Sequence, residues 1–259
     1  MQKKVLLTLA YRGTAYCGYQ VQPNGVTVQE MLNRACEALF GYPCDVVGCS
    51  RTDSGVHARG FCATISQKGA DVLLTHIPTE RIPRAMNAHL PADIAVLAAR
   101  DVPVEFHARY DVVDKEYEYL IYNGREREPF FEERAWHIPT PIDDAALAAM
   151  QQAAALFVGK QDFSAFRAMG ADTAEKDAVR HVMAASVTRT GNVISFRVRA
   201  DGFLYNMVRI MVGTLAAVAA GRMRVEDVAL ALASRDRKQA GSTAPACGLY
   251  LDRVTYPEL

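Results

Sequence analysis

The feature that most constrains this chain is an order of short periodic segments that occurs twice. In the first half, Val5 to Tyr11 is apolar and β-compatible and ends at Arg12-Gly13, so it reads as a strand followed by a turn. Thr27, with Glu30 three residues on, predicts a capping box. Val28, Met31, Leu32, Ala35, Leu39 and Phe40 then recur at helical spacing, and Gly41 stops the run. Asp45 to Cys49 and Val56 to Ile65 read as strands, Pro78 to Leu90 as containing a helix, and Ile94 to Ala99 as a strand. The order is β-α-β-β-α-β, the ferredoxin-like pattern.

The second half repeats it. Lys115 to Tyr122 alternates as a strand, and Asp143 to Phe157 is an Ala-rich helix opened by two aspartates. Val182 to Arg189 and Val193 to Ala200 form a hairpin around Thr190-Gly191-Asn192. Asn206 to Ala220 is a helix closed by Gly221, Val225 to Ala233 an extra helix, and Leu249 to Thr255 the last strand. The predicted class is α+β, with two ferredoxin-like halves, 1–105 and 106–259, joined near Val102 to Asp114. Their antiparallel sheets are expected to abut and leave a central cleft.

At 259 residues and 50% hydrophobic, the chain can bury a sizeable core. Its formal net charge is zero, so nucleic-acid binding would rest on local basic groups rather than on global charge. Arg222-Met-Arg224 and Arg235-Asp-Arg237-Lys238 are such clusters, open to RNA contact or to solvation alone. The six cysteines, Cys17, Cys36, Cys44, Cys49, Cys62 and Cys247, form no C-x-x-C pair, and no His stands at finger spacing from them. No zinc site, disulfide framework or other metal centre is expected. Val5 to Ala10 is too short for a signal-peptide core and is soon followed by Arg12. No apolar run is long enough to span a membrane. A cytoplasmic protein with reduced thiols is expected.

The segment richest in chemistry is Gly48 to Ala58, G-C-S-R-T-D-S-G-V-H-A, between two predicted strands. Gly48 and Gly55 bracket a tight connection, which places Asp53 on a loop at the sheet edge. Arg51, two residues away, favours the ionised carboxylate and can also grip a phosphate. Taken alone, Asp53 could equally close an Asx-turn. Asp-Ser-Gly also evokes aspartic proteases, which need a second carboxylate, but the chain has no second such triplet. A subtilisin-like reading needs a separate His motif and a nucleophilic Ser in a Gly-rich turn, and neither is present.

Arg51 to Ala58 resembles the R-T-D-A-G-V-H-A signature of the TruA family of tRNA pseudouridine synthases. Tyr11 to Gln20 is similar to that family's Y-D-G-T-x-[FY]-x-G-[WF]-Q, and Thr27-Val-Gln-Glu30 to its S-V-Q-x. Asn87 to Val96 is similar to N-x-x-L-P-x-D-I-x-V, Phe106-His-Ala-Arg109 to F-H-A-R, and Lys115 to Tyr119 to [KR]-x-Y-x-Y. Asp162 to Phe166 is similar to D-F-[ST]-x-F. Phe203 to Gly213 and Gly248 to Leu251 resemble the C-terminal motifs. The likeness runs in order along nearly the whole chain. Cys49, Ser50 and Ser54 depart from the usual residues around R-T-D, Tyr19 stands in place of the usual Trp, and Cys17 lies in the same loop.

The resemblance implies an isomerase that converts uridine to pseudouridine at positions 38, 39 and 40 of the tRNA anticodon stem-loop. It implies a pseudouridine synthase fold and a homodimer acting on tRNA, and the chemistry requires no cofactor. The role of catalytic carboxylate falls on Asp53, which would form a covalent intermediate or stabilise cationic character at C1′. Tyr117, the first tyrosine of [KR]-x-Y-x-Y, would stack on the target base and is a candidate for moving the C5 proton. Strand alternation puts Tyr117 and Tyr119 on one face, so the pattern itself does not choose between them. Arg51 would help hold the flipped nucleotide. Arg209, inside an otherwise apolar helix, would pair with the catalytic aspartate, and Leu249 would line the uracil pocket. His57 and His107 are motif positions with no catalytic part assigned.

Overall fold

In the computed structural model, which describes residues 2–169 and 177–258, contacts divide the chain into two compact units. One comprises Met1–Val113 with Tyr250–Leu259, the other Asp114–Leu249. Both mix helices with antiparallel sheet, as the α+β reading requires.

In the first unit, β1 (Gln2–Tyr11) is central. It pairs antiparallel with β3 (His57–Gln67) on one side and β5 (Ile94–Val102) on the other. The short β4 (Leu73–Leu74) meets the beginning of β1, and β2 (Cys44–Gly48) pairs antiparallel with the second half of β3. The order β5-β1-β3-β2 is that of a ferredoxin-like sheet. The final strand, β11 (Leu249–Thr255), runs parallel to the beginning of β3, with Tyr250 opposite His57 and Leu251 opposite Ala58.

Helix α1 (Val28–Phe40) starts where Thr27 Oγ1 accepts the Glu30 amide at 3.3 Å and ends at Gly41 in the left-handed region, φ 77°. The capping box is only half formed. The Glu30 carboxylate bonds Arg34 at 2.6 Å, one turn on, instead of reaching back to the cap. Helix α2 (Ile82–Asn87) carries Pro83 in its first turn, where its missing N–H is harmless. Val5, Leu7, Leu9, Leu32, Phe61, Ile65 and Ile82 form the fully buried core beneath these helices. Each such side chain contributes about 1.5–3 kcal/mol on leaving water.

The second unit opens with β6 (Asp114–Tyr122), whose end is met in parallel by β7 (Trp136–His137). Asp143 caps α3 (Asp144–Ala155) through the Ala146 amide at 2.8 Å. β8 (Gly159–Asp162), β9 (Val179–Thr190) and β10 (Val193–Ala200) follow, and β6-β10-β9-β8 is a continuous antiparallel order. Helix α4 (Met207–Ala219) is buried along most of its length, and α5 (Val225–Ser234) follows it. A Cβ on Gly213 would collide with the Ser242 carbonyl oxygen, and one on Gly241 with the Thr214 backbone. The segment after α5 is thereby laid directly against α4. No helix among the described residues is long and apolar enough to cross a membrane.

Several motifs turn out to build this framework. Phe163 and Phe166 are fully buried, with Phe166 edge-on to Phe157 at 5.2 Å. Asp162 accepts the Ser164 amide and hydroxyl and pairs with Arg235 at 3.1 Å. Asn87 exchanges two hydrogen bonds with the Val96 backbone, joining α2 to β5.

Candidate active site

The loop that carries Asp53 leaves the sheet where Cys49 N–H donates to the Cys62 carbonyl at 2.8 Å and Cys62 N–H to Cys49 Sγ at 3.4 Å. Thr52 is then gripped from two directions. Its carbonyl accepts the Tyr19 amide at 3.0 Å, and its hydroxyl shares a 2.7 Å hydrogen bond with the Tyr11 phenol. Asp53 itself opens a turn closed by Val56 N–H to its carbonyl at 3.1 Å, with Gly55 at φ 78°. A positive φ at the third turn position is what a type II turn demands, and glycine adopts it without strain. The turn is closed through the main chain, so it does not require the Asp53 side chain. Ser54 donates to the Tyr16 carbonyl at 3.2 Å.

The other wall is the N-terminal motif. Gly18, at φ 81°, lies flush against the loop, and a Cβ there would stand 2.6 Å from the Thr52 carbonyl oxygen. A Cβ on Gly13 would run into the Val56 carbonyl, and the Gly13 amide donates to His57 Nδ1 at 3.0 Å. Tyr16 donates to Asp93 at 2.6 Å, which ties the same loop to the connection before β5. Tyr11 to Gln20 and Arg51 to Ala58, separate in sequence, thus form one clamped assembly. Within it Arg51 is exposed and Asp53 half-buried, while Thr52 is buried. His57 has a structural place, fully buried and stacked on Tyr250 at 4.7 Å. His107 accepts the Arg109 and Tyr110 amides and braces its own turn.

In the second unit, β6, α4 and the segment before β11 converge. Tyr119 is fully enclosed, with its hydroxyl on the Pro245 carbonyl at 2.7 Å and burial pushing its phenol well above the ordinary value. A Cβ on Gly248 would stand 2.5 Å from the Tyr119 ring. Tyr119 is therefore framework. Tyr117 keeps 7% of its surface exposed and meets Phe203 edge-on at 5.0 Å. Arg209 directs Nε–H to the Ala244 carbonyl at 2.7 Å and an Nη1–H to the Asn206 side chain at 2.8 Å. Two of its five donors thus fix the plane of the guanidinium. Leu249, 6% exposed, begins β11.

Three arginines of the basic clusters near the end of the chain are held by framework partners. Arg224 chelates Asp227 at the start of α5, Arg235 holds Asp162, and Arg237 reaches the Gly241 carbonyl at 2.8 Å. Among the described residues no three His, Cys, Asp or Glu side chains are grouped to hold a metal ion. Beyond the end of a strand and its turn at Tyr11 to Gly13, the sequence assigns no catalytic or binding role to Tyr11, Gly13, Gly18 or Thr52. The glycines and tyrosines of the N-terminal motif were the signal, but nothing in the sequence says that they touch the aspartate loop.

The tRNA pseudouridine synthase family model matches residues 8–111 and 153–257. The tRNA pseudouridine synthase A of Moorella thermoacetica is 46% identical over 252 residues, covering 96% of this chain and 98% of that one. The enzyme of the same name from Acetivibrio thermocellus is 42% identical over 255 residues, covering 98% and 100%. Among solved structures, the Cbf5-Nop10-Gar1 complex aligns with 95% of this chain and 48% of that chain at 13% identity. Its TM-score is 0.38, a likeness too slight to bear on the fold. By the family model and by relatives matched end to end, the chain belongs to the tRNA pseudouridine synthases, isomerases that act on uridine in tRNA.

Proposed function

We propose that this chain isomerises uridine to pseudouridine in the anticodon stem-loop of tRNA, at positions 38, 39 and 40, with Asp53 as its catalytic carboxylate. The observation that carries the reading is the treatment of the Asp53 loop. Its main chain is fixed at Thr52 and Asp53, while the aspartate itself remains half-exposed. A fixed backbone beneath a half-buried aspartate is what positioned chemistry requires.

The reaction breaks the C1′–N1 bond, turns the uracil and forms a C1′–C5 bond; C5 gives up its proton to solvent and the released N1 takes one up, so the product is an isomer of the substrate. Positive charge develops at C1′ as its bond to nitrogen lengthens, and the Asp53 carboxylate stabilises it there. Arg51, exposed on the same loop, holds a phosphate of the extruded nucleotide and offsets part of the few kcal/mol that extrusion costs. Tyr117 stacks on the uracil and Leu249 lines its pocket. Arg209, whose guanidinium plane is fixed by Ala244 and Asn206, pairs with the catalytic carboxylate. No cofactor takes part. The enzyme works as a cytoplasmic homodimer, and its two repeats divide near residue 105.

The test is Asp53→Asn, an isosteric change that removes only the charge. Tritium release from tRNA labelled with [5-³H]uridine is expected to vanish, while tRNA affinity stays within about twofold of the parent. Turnover by the purified variant would remove Asp53 from the mechanism. The same assay excludes a binding-only role, since a protein that merely binds releases no tritium. Pseudouridine mapping in tRNA from cells with and without the gene tests the location. Lost sites outside the anticodon arm would overturn that part alone. A sedimentation mass of one chain would overturn the homodimer.

A further inference from the structure

We infer that Tyr11 is a positioning residue for the reaction, acting through Thr52 on the Asp53 carboxylate. The inference rests on Asp53 being the catalytic group. Tyr11 ends β1, is 4% exposed, and packs its ring against Phe61 at 5.6 Å, so its phenol is delivered from the sheet core. The phenol meets the Thr52 hydroxyl at 2.7 Å, and Thr52 is itself 7% exposed. Thr52 is the residue directly before Asp53.

The direction of effect follows from where the loop is held. The Tyr19 amide on the Thr52 carbonyl and the glycine surface at Gly18 restrain the loop on the side of the N-terminal motif. The Tyr11–Thr52 bond restrains it toward the sheet. Removing the phenol hydroxyl leaves the Thr52 hydroxyl buried with one partner fewer. A buried polar group in that state is relieved by moving toward water. Thr52 can do so only by carrying the Asp53 backbone with it. The carboxylate then sits off its reacting position in the enzyme–tRNA complex, although the surface that binds tRNA is unaltered. The loss therefore falls on kcat and not on KM.

Tyr11→Phe and Thr52→Val are each expected to lower kcat about tenfold with KM and tRNA affinity within twofold, since sub-ångström misplacement of a reacting group costs on this order. The double variant should fall no further than either single one, as for two residues that share one interaction. Thr52→Ser, which keeps the hydroxyl, should restore kcat to within about threefold. Tyr256→Phe removes a comparable phenol bond, 2.6 Å to the Ala108 carbonyl in the same unit, and should leave kcat unchanged. Wild-type kcat in folded Tyr11→Phe, additive losses in the double variant, or a change confined to KM would each overturn the inference. If Tyr11→Phe does not fold, the contrast between Thr52→Val and Thr52→Ser decides. Inert Asp53→Asn beside fully active Tyr11→Phe would sink this inference alone, whereas active Asp53→Asn would sink the reading beneath it.

Discussion

Replacing Gly18 with Ala should damage catalysis without touching substrate. Gly18 has φ 81°, and a Cβ there would stand 2.6 Å from the Thr52 carbonyl oxygen. Carbon and oxygen in ordinary contact keep about 3.3 Å, so roughly 0.7 Å must be found, and the nearest movable group is the peptide that enters Asp53. A displacement approaching 1 Å is worth up to about 100-fold in rate, so a 10- to 100-fold fall in kcat is expected, about 1.4–2.7 kcal/mol of barrier. Left-handed backbone at a non-glycine residue adds about 1–2 kcal/mol of instability, and the overpacking about 1 kcal/mol more. For a chain of this length that lowers the melting temperature by roughly 4–12 °C, so the variant should still be folded at 25 °C. Gly41→Ala is the matched control. Gly41 has φ 77°, but no described atom beyond its neighbours lies within 4 Å of the added Cβ. It should lose stability and keep kcat. Tritium release under saturating tRNA, alongside urea unfolding, separates the two effects. Equal kcat in both variants would refute the claim that Gly18 shapes the aspartate loop.

Three further outcomes are expected. The Tyr19 hydroxyl is buried and makes no hydrogen bond to any described residue, so Tyr19→Phe should raise stability by about 1 kcal/mol in urea unfolding; a loss would reveal a partner. Burial pushes the Cys62 thiol up to about 11, whereas an unfolded thiol titrates near 8.5. The folded state therefore holds a proton that the unfolded state gives up, and stability should fall as pH rises between these values. Cys62→Ala should decline less over that range, and parallel declines would contradict the assignment. Finally, tRNA affinity should drop at least tenfold between about 50 and 200 mM salt, as release of counterions from only two or so phosphates requires. A flat response would contradict binding through the tRNA backbone.

Much of the fold was legible because its elements are long enough to show a period. Helix α1 announces itself through Thr27, the apolar stripe and Gly41, and the β9–β10 hairpin through its alternation around Gly191. Strands β4, β7 and β8 were not read, because two to four residues carry no detectable alternation. Glu30 was expected to reach back to the helix cap, but a cation one turn away competes for the same carboxylate. The candidate site was legible as a set of motif positions. Which of those positions only build the framework was not, since two tyrosines two residues apart on a strand share a face whatever packs against each. Tyr119, tied to Pro245 and covered by Gly248, is separated from Tyr117 only by packing.

The sequence by itself determined the periodicities, the glycines where the backbone turns left-handed, and the order of residue types that identifies the family. These are local properties, set by neighbours within a few positions along the chain. Tertiary structure decided what distant segments do to one another. It set Tyr11, Gly13 and Gly18 against the loop of Asp53, and it returned the last strand to pair beside His57 in the first unit. It also committed Arg224, Arg235 and Arg237 to carboxylates and carbonyls of the framework. Hydrogen bonds and steric contacts act over about 3–4 Å in space, and separation along the chain does not record which groups come that close.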